Sequence, residues 1–302
     1  MVVWAITSYY NPVRYNRRLS NYHLFRANLP IPLVTVELSF DGRFELRRDD
    51  ADILIQITGG AVLWQKERLL NVALRAVPAE VDRIAWVDCD LILKRPDWVD
   101  EARRQLGKFN VVQLFSDAVH LSPENYRSAG IDASKHESVP GIVGLPDAKE
   151  LITVHSDLNY YQSGFAWAAK RQLIEEHYFY DAAIVGGGDC MMVAAVLGQF
   201  GGITQRFLLN EMRRRHYLEW AIPFHDSVAE RIGQVPGTVY HLSHGDLKNR
   251  KYGERHVSLA AFDFDPDRDL RVGAHGAWEW ARPKPELEAF LWSYFADRAE
   301  DS

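Results

Sequence analysis

An apolar run, Ile84-Ala85-Trp86-Val87, ends on Asp88-Cys89-Asp90 and resumes as Leu91-Ile92-Leu93. Carboxylates one residue apart at a strand terminus can hold a hard divalent cation, Mg²⁺ or Mn²⁺, which takes oxygen ligands and shares them with substrate phosphates. An acidic loop after a strand gives the same triplet. Two carboxylates set in an apolar run are nevertheless costly unless a cation compensates them. A second group comes late, in His241-Leu242-Ser243-His244-Gly245-Asp246-Leu247-Lys248-Asn249-Arg250-Lys251-Tyr252. Histidines three residues apart can face one metal and add a ligand for Mn²⁺, while Lys248, Arg250 and Lys251 could hold a diphosphate leaving group. Taken alone, that stretch is equally a solvated basic loop. Gly186-Gly187-Gly188-Asp189-Cys190 is the third group, where glycines let backbone approach a ligand and Asp189 falls at or near a helix N-cap. Capping is the ordinary role of such an aspartate; the alternative is a general base facing an acceptor hydroxyl. Finally, the first 36 residues contain no Asp or Glu but carry Arg14, Arg17, Arg18 and Arg26. From a helix, Arg14, Arg17 or Arg18 could meet a phosphate; otherwise they solvate the surface.

The elements that must position these residues alternate in type. Residues 2–7 read as a buried strand and 13–28 as a helix with Tyr15, Leu19 and Tyr22 at helical spacing. Leu33–Phe40 and Asp52–Thr58 are strand-like, 62–76 is an amphipathic helix stopping before Pro78, and Arg83–Val87 is a fourth strand. Repeated βα units predict a parallel, doubly wound sheet whose ligands bind beyond the carboxyl ends of its strands, where Ser8, Glu37, Gly59 and Asp88 fall. Further on, Phe109–Phe115 and Ser163–Arg171 are strand-like, 189–200 is an apolar helix, and the tail from Pro283 is a terminal amphipathic helix. The polar stretch 116–155, with Pro123, Pro140 and Pro146, is long for a plain connection and reads as a lid or acceptor wall. No internal repeat, low-complexity segment or linker divides the chain.

Composition narrows the class. A hydrophobic content of 47% over 302 residues supports a sizeable core, and a net charge of −6 argues against a uniformly basic nucleic-acid coat. The two cysteines, Cys89 and Cys190, form no disulfide framework or zinc spacing, and each reads as a spacer beside an aspartate. The N-terminal residues lack a basic n-region and a cleavage site, and no apolar run reaches the ~18–20 residues that span a bilayer. A soluble cytoplasmic protein in a reducing compartment is the expectation. Sequences typical of P-loops, dinucleotide fingerprints, zincins and hydrolase elbows are absent. The aromatic content is 12%, with nine tryptophans. Trp4, Trp64 and Trp86 lie in apolar patterns and are expected in the core. Trp167 and Trp220, with Tyr9 and Tyr10, fall where a ring-shaped ligand would stack.

In their order along the chain, the strand series, the D-x-D, the Ser163-Gly164-Phe165-Ala166-Trp167 segment, the Gly187-Gly188-Asp189 element and the late His-x-x-His stretch resemble the GT-A fold of nucleotide-sugar-dependent glycosyltransferases. The likeness runs from the first strand to about Tyr252 and is similar in pattern to galactosyltransferase-like enzymes. It implies an α/β, Rossmann-like single domain over 1–302, with a mostly parallel central sheet flanked by helices. Within it, 1–115 would be a nucleotide-binding half, 116–256 an acceptor and metal-binding half, and 257–302 a C-terminal extension. By the same resemblance the metal is Mn²⁺ or Mg²⁺ on Asp88, Asp90 and His244, with His241 a further ligand. Asp189 is the catalytic base of an inverting transfer from a nucleotide sugar, a UDP-sugar favoured, to the hydroxyl of a glycan or another acceptor. The nucleotide would lie across Thr7, Ser8 and Tyr9, with Glu37 or Asp41 near its base or ribose, Arg14, Lys66 or Arg68 on the ribose-phosphate, and Lys248 and Arg250 on the diphosphate. The sequence departs from the family in carrying one carboxylate where relatives often have two or three, and in lacking the aromatic that precedes the glycines. Two alternatives remain at this level: a sugar nucleotidyltransferase, whose glycine-rich basic loop Tyr9-Tyr10-Asn11-Pro12 replaces, and a non-catalytic nucleotide- or glycan-binding protein. A nucleic-acid acceptor is disfavoured by the net charge, though the local basic segments leave room for it.

Overall fold

The computed structural model describes residues 2–122, 137–154 and 160–302. Its strands in chain order are β1 Val3–Tyr10, β2 Leu33–Ser39, β3 Ile53–Thr58, β4 Arg83–Val87, β5 Leu91–Leu93, β6 Val111–Gln113 and β7 Asp117–His120. There follow β8 Ser138–Pro140, β9 Ala166–Lys170, β10 Ile232–Gln234, β11 Thr238–His241, β12 Leu270–Val272 and β13 Trp278–Trp280. Seven of them form the central sheet in the order β10-β6-β9-β4-β1-β2-β3. Every neighbouring pair is parallel except those of β9, which runs antiparallel to both β4 and β6.

Alternation along the strands divides the core into two layers. Ile6, Trp86 and Trp167 face the helices Lys66–Ala76, Gly188–Val196, Glu211–Val228 and Pro285–Asp297. Ala5, Ala85 and Ala168 face the opposite way, onto the helices Asn16–Ala27 and Trp98–Leu106. The near-continuous apolar character of β1 and β2 follows from burial on both sides.

A second sheet, β5-β11-β7-β8, starts where the first stops. The connection from β4 to β5 is Asp88-Cys89-Asp90 itself, so the acidic triplet occupies the seam between two sheets. β11 pairs antiparallel with β5, placing His241 opposite Leu91, and the Leu242 amide donates to the Asp90 carbonyl at 2.9 Å. The late histidines are thereby brought beside the acidic triplet. The described part of the stretch 116–155 builds β7, β8 and the short helix Ala148–Leu151. Residues 123–136 and 155, which carry the rest of the expected lid, lie outside the described residues. Among the described residues, no helix is long and apolar enough to cross a membrane.

Candidate active site

A cleft of about 1180 Å³, counting the space at its open mouth, lies at the carboxyl ends of β1 and β4. The β4 end is tied down by the Asp88 amide, which donates to the Phe165 carbonyl at 2.9 Å. Phe165 itself adopts a φ of +80°, a conformation costly for a residue with a side chain. That turn stacks its ring on His241, with centroids 4.7 Å apart and planes 11° from parallel.

Lys66, at the first turn of its helix, reaches two carboxylates at once: Asp88 Oδ1 at 2.6 Å and Asp189 Oδ2 at 2.9 Å. Burial alone would lower the lysine pKa, but Asp189 and Asp88 outweigh it and hold the ammonium well above its usual range. Burial pushes Asp88 up to about 7 despite Lys66, with Asp189 adding to the rise. Asp189 does not cap its helix. The N-cap is Gly187 at φ +93°, and a Cβ there would come within 2.8 Å of the Phe207 ring. Gly164 lies equally close, since a Cβ on it would sit 3.0 Å from Asp189 Oδ2. Among the described residues, only Lys66 hydrogen-bonds the Asp189 carboxylate, leaving its other oxygen for a ligand.

Beyond Asp88 stands a denser cluster. Asp90 Oδ2 is 2.9 Å from His244 Nε2 and 3.8 Å from His241 Nε2, and the two Nε2 atoms are 3.1 Å apart. One ligand atom from each of the three residues lies within 4.8 Å of the others. A divalent cation fits this set: the donors are one carboxylate and two imidazoles, and Asp90 Oδ1 is buried with no hydrogen-bond partner. His241 Nδ1 meets His120 Nδ1 at 3.1 Å, and burial holds His120 down at about 4, hence neutral. A neutral His120 can accept from His241 Nδ1–H, the tautomer that leaves His241 Nε2 unprotonated. Burial opposes the charge on Asp90 but His241, His244 and Arg250 hold its carboxyl well below the usual range. Arg250 Nη2 is 2.6 Å from His244 Nε2, so it sits at the same lone pair a cation would use.

Several expected residues converge here: Ser8, Tyr10, Lys66, Asp88, Asp90, Asp189, His241, His244 and Arg250 all line the cleft. Asp88, although it lines the cleft, is committed to Lys66 and stands outside the cation-binding set. Others do not line it. Thr7 is buried and donates to the Val87 carbonyl, and Tyr9 hydrogen-bonds Glu45 beneath the sheet edge. Glu37 is buried and accepts from the Glu45 and Leu46 amides and from Gln56, fastening a loop. Arg14 pairs with Asp41 at the surface, Arg68 pairs with Asp181, and Lys248 pairs with Asp246 while remaining 79% exposed. Trp167 is wholly buried with its indole N–H on the Ser163 carbonyl, and Trp220 donates to His177 and Tyr178 away from the cleft. The tryptophan on the cleft wall is Trp64, stacked on Phe295 and with its indole nitrogen unpartnered.

Arg206, Arg255 and Arg298 also line the cleft and carry no local motif to mark them. Arg298 and Arg18 both hold the buried Glu300, each at 2.5 Å, and Glu300 Oε1 lies 3.6 Å from His244 Nδ1. The segment expected to be a C-terminal extension thus supplies cleft wall and foundation.

No family model and no curated protein matches the chain. Among solved structures, Staphylococcus aureus TarS 1–349 in complex with UDP-GlcNAc is 14% identical, with 99% of this chain and 72% of that one covered at a TM-score of 0.43. The catalytic domain of Drosophila beta1,4-galactosyltransferase 7, in complex with xylobiose, is 9% identical, covers 96% and 99%, and has a TM-score of 0.40. A 4-diphosphocytidyl-2C-methyl-D-erythritol synthase from Anaerococcus prevotii is 12% identical, covers 78% and 89%, and has a TM-score of 0.37. Likenesses this distant assign neither family nor activity.

Proposed function

We propose that the protein is a metal-dependent glycosyltransferase that moves a sugar from a nucleotide-sugar donor to an acceptor hydroxyl with inversion. The observation that carries this reading is the cleft's pairing of a cation-binding set, Asp90, His241 and His244, with a separate carboxylate, Asp189, held by Lys66. A simple binding module needs no such division between a leaving-group end and a base end.

Arg250, beside the Asp90–His241–His244 set, binds the donor diphosphate. Asp90, His241 and His244 would hold Mn²⁺ or Mg²⁺, which would offset charge on the leaving diphosphate. Ser8, Tyr10 and Trp64 line the neighbouring wall, where aromatic side chains can pack against the donor. Asp189 accepts the proton of the acceptor hydroxyl as that oxygen attacks the anomeric carbon. The bond from that carbon to the diphosphate oxygen breaks on the opposite face, so the configuration inverts. Lys66 fixes the Asp189 carboxylate in position.

A panel of nucleotide sugars, UDP-sugars first, tests this through donor hydrolysis and thermal stabilisation with Mn²⁺ present. Turnover of one donor, abolished by chelator and reduced about 10²–10⁴-fold by Asp189→Asn, is the expected outcome. A folded protein that responds to no donor would sink the reading, and turnover indifferent to chelator would remove the metal from it.

A further inference from the structure

The charge of the cleft exceeds what a donor needs. Among the described residues its walls carry six cations, Arg18, Lys66, Arg206, Arg250, Arg255 and Arg298. Against them stand Asp88, Asp90 and Asp189, with Glu300 behind Arg18 and Arg298. Between these arginine, lysine and carboxylate groups two positive charges are left over. One negative charge on each donor phosphate matches them only while no cation sits on the Asp90–His241–His244 set. Once a divalent cation joins the donor, an excess of two positive charges returns.

The excess is localised. Among the described residues, Arg206, Arg250 and Arg255 have no carboxylate within salt-bridge range, and the Nε of each is buried without a hydrogen-bond partner. Arg250 belongs to the donor end, against His244. The other two stand at the Asp189 end. Arg255 Nη1 lies 3.2 Å from where a Cβ on Gly186 would be, and Arg206 sits over the Phe207 ring that abuts Gly187. The turn they flank leads directly into Asp189. Among the described residues both are held by hydroxyls, a carbonyl and a ring: Arg206 by the Ile152 carbonyl and the Tyr161 hydroxyl, Arg255 by the Tyr294 hydroxyl and the Tyr252 ring. Burial would raise the Tyr294 pKa, yet Arg255 and Arg298 outweigh it and hold the phenol at about 8. A buried guanidinium without a carboxylate is costly, and its planar donors suit an oxyanion.

Building on the glycosyltransferase reading, we infer that the acceptor is itself an anion, a hydroxyl compound bearing a phosphate or carboxylate that Arg206 and Arg255 bind beside Asp189. The two arginines bring the acceptor hydroxyl to the base by its charged group and reject neutral sugars. They act on the acceptor and leave the donor diphosphate to Arg250 and the cation-binding set.

Calorimetric titration of protein already saturated with UDP and Mg²⁺ tests this with glucose 6-phosphate, glucuronate and glucose as probes. At least one charged probe should bind while glucose does not; which one binds separates a phosphate site from a carboxylate site. Arg206→Gln and Arg255→Gln should each weaken that probe tenfold or more and change UDP affinity less than twofold. Arg206 is the less buried, so Arg206→Gln carries the test if Arg255→Gln does not fold. The inference is overturned if no charged probe binds the UDP-saturated protein, if the probes compete with UDP, or if both variants bind the probe as the parent does. Failure of UDP itself to bind is a different result and overturns the donor reading.

Discussion

Replacing Lys66 by methionine isolates the electrostatics of the base end. The ammonium is buried, with 10% of the side chain exposed, and it is the shared partner of Asp88 and Asp189. Methionine keeps most of the volume and removes the charge, leaving two carboxylates in one low-dielectric corner. Breaking a buried pair from one side costs about 3–5 kcal/mol. At roughly 2 °C per kcal/mol for a chain of this size, the melting temperature at pH 8 should fall by about 6–10 °C. The loss must depend on pH. Burial pushes Asp88 up to about 7 in the folded chain against an ordinary 3.8, and without Lys66 it is pushed higher still. A folded pKa above the unfolded one means stability that is whole below 3.8 and is lost as pH rises through about 7 and beyond. The deficit of Lys66→Met relative to the parent should therefore shrink by about 1 kcal/mol between pH 8 and pH 5. Urea unfolding at pH 5, 6.5 and 8 reads it directly. An equal deficit at all three would mean that packing, and not charge, holds this corner together.

Two tryptophans should separate cleanly. Trp167→Ala removes a fully buried indole and should cost about 3–5 kcal/mol in denaturant unfolding, whereas Trp64→Ala should weaken nucleotide binding by roughly five- to a hundredfold and cost less stability. A Trp64→Ala protein that binds nucleotide as tightly as the parent would remove that ring from the donor site. Glu67, buried behind Asp189, is pushed by burial up to about 8 from an ordinary 4.5, so the parent loses stability as pH rises between those values. Glu67→Gln is spared that loss and should gain on the parent by at most about 1.4 kcal/mol per pH unit from pH 5 to pH 8; a constant difference in urea midpoints across that range would refute the assignment.

The first four strands and the helix Lys66–Ala76 were legible because their signals are local: short apolar runs with turns between them, and a helical period that stops at Pro78. The direction of β9 was not. Its pattern Ala166-Trp167-Ala168-Ala169 has the same period either way up, and only pairing with β4 and β6 makes it antiparallel. Periodicity was equally silent on the tryptophans. Trp64 and Trp167 both sit in apolar surroundings along the chain, and which one meets the cleft depends on the helix Pro285–Asp297, whose Phe295 braces Trp64 at the cleft edge.

The sequence by itself determined the chemistry on offer: Asp88 and Asp90 after an apolar strand, His241 and His244 three residues apart, and Asp189 behind its glycines. Those are matters of residue type and short spacing, which the chain carries wherever it folds. Tertiary structure alone decided how they are divided. Antiparallel pairing of β5 with β11 gives Asp90 to the histidines, while Lys66, from a different helix, takes Asp88 and Asp189. It also assembled the cationic wall, since Arg18, Arg206, Arg255 and Arg298 are scattered over almost the whole chain and share no motif. Charges that far apart in sequence have no common local signal; they act together only because folding sets them around one cleft, where exclusion of water strengthens their joint field.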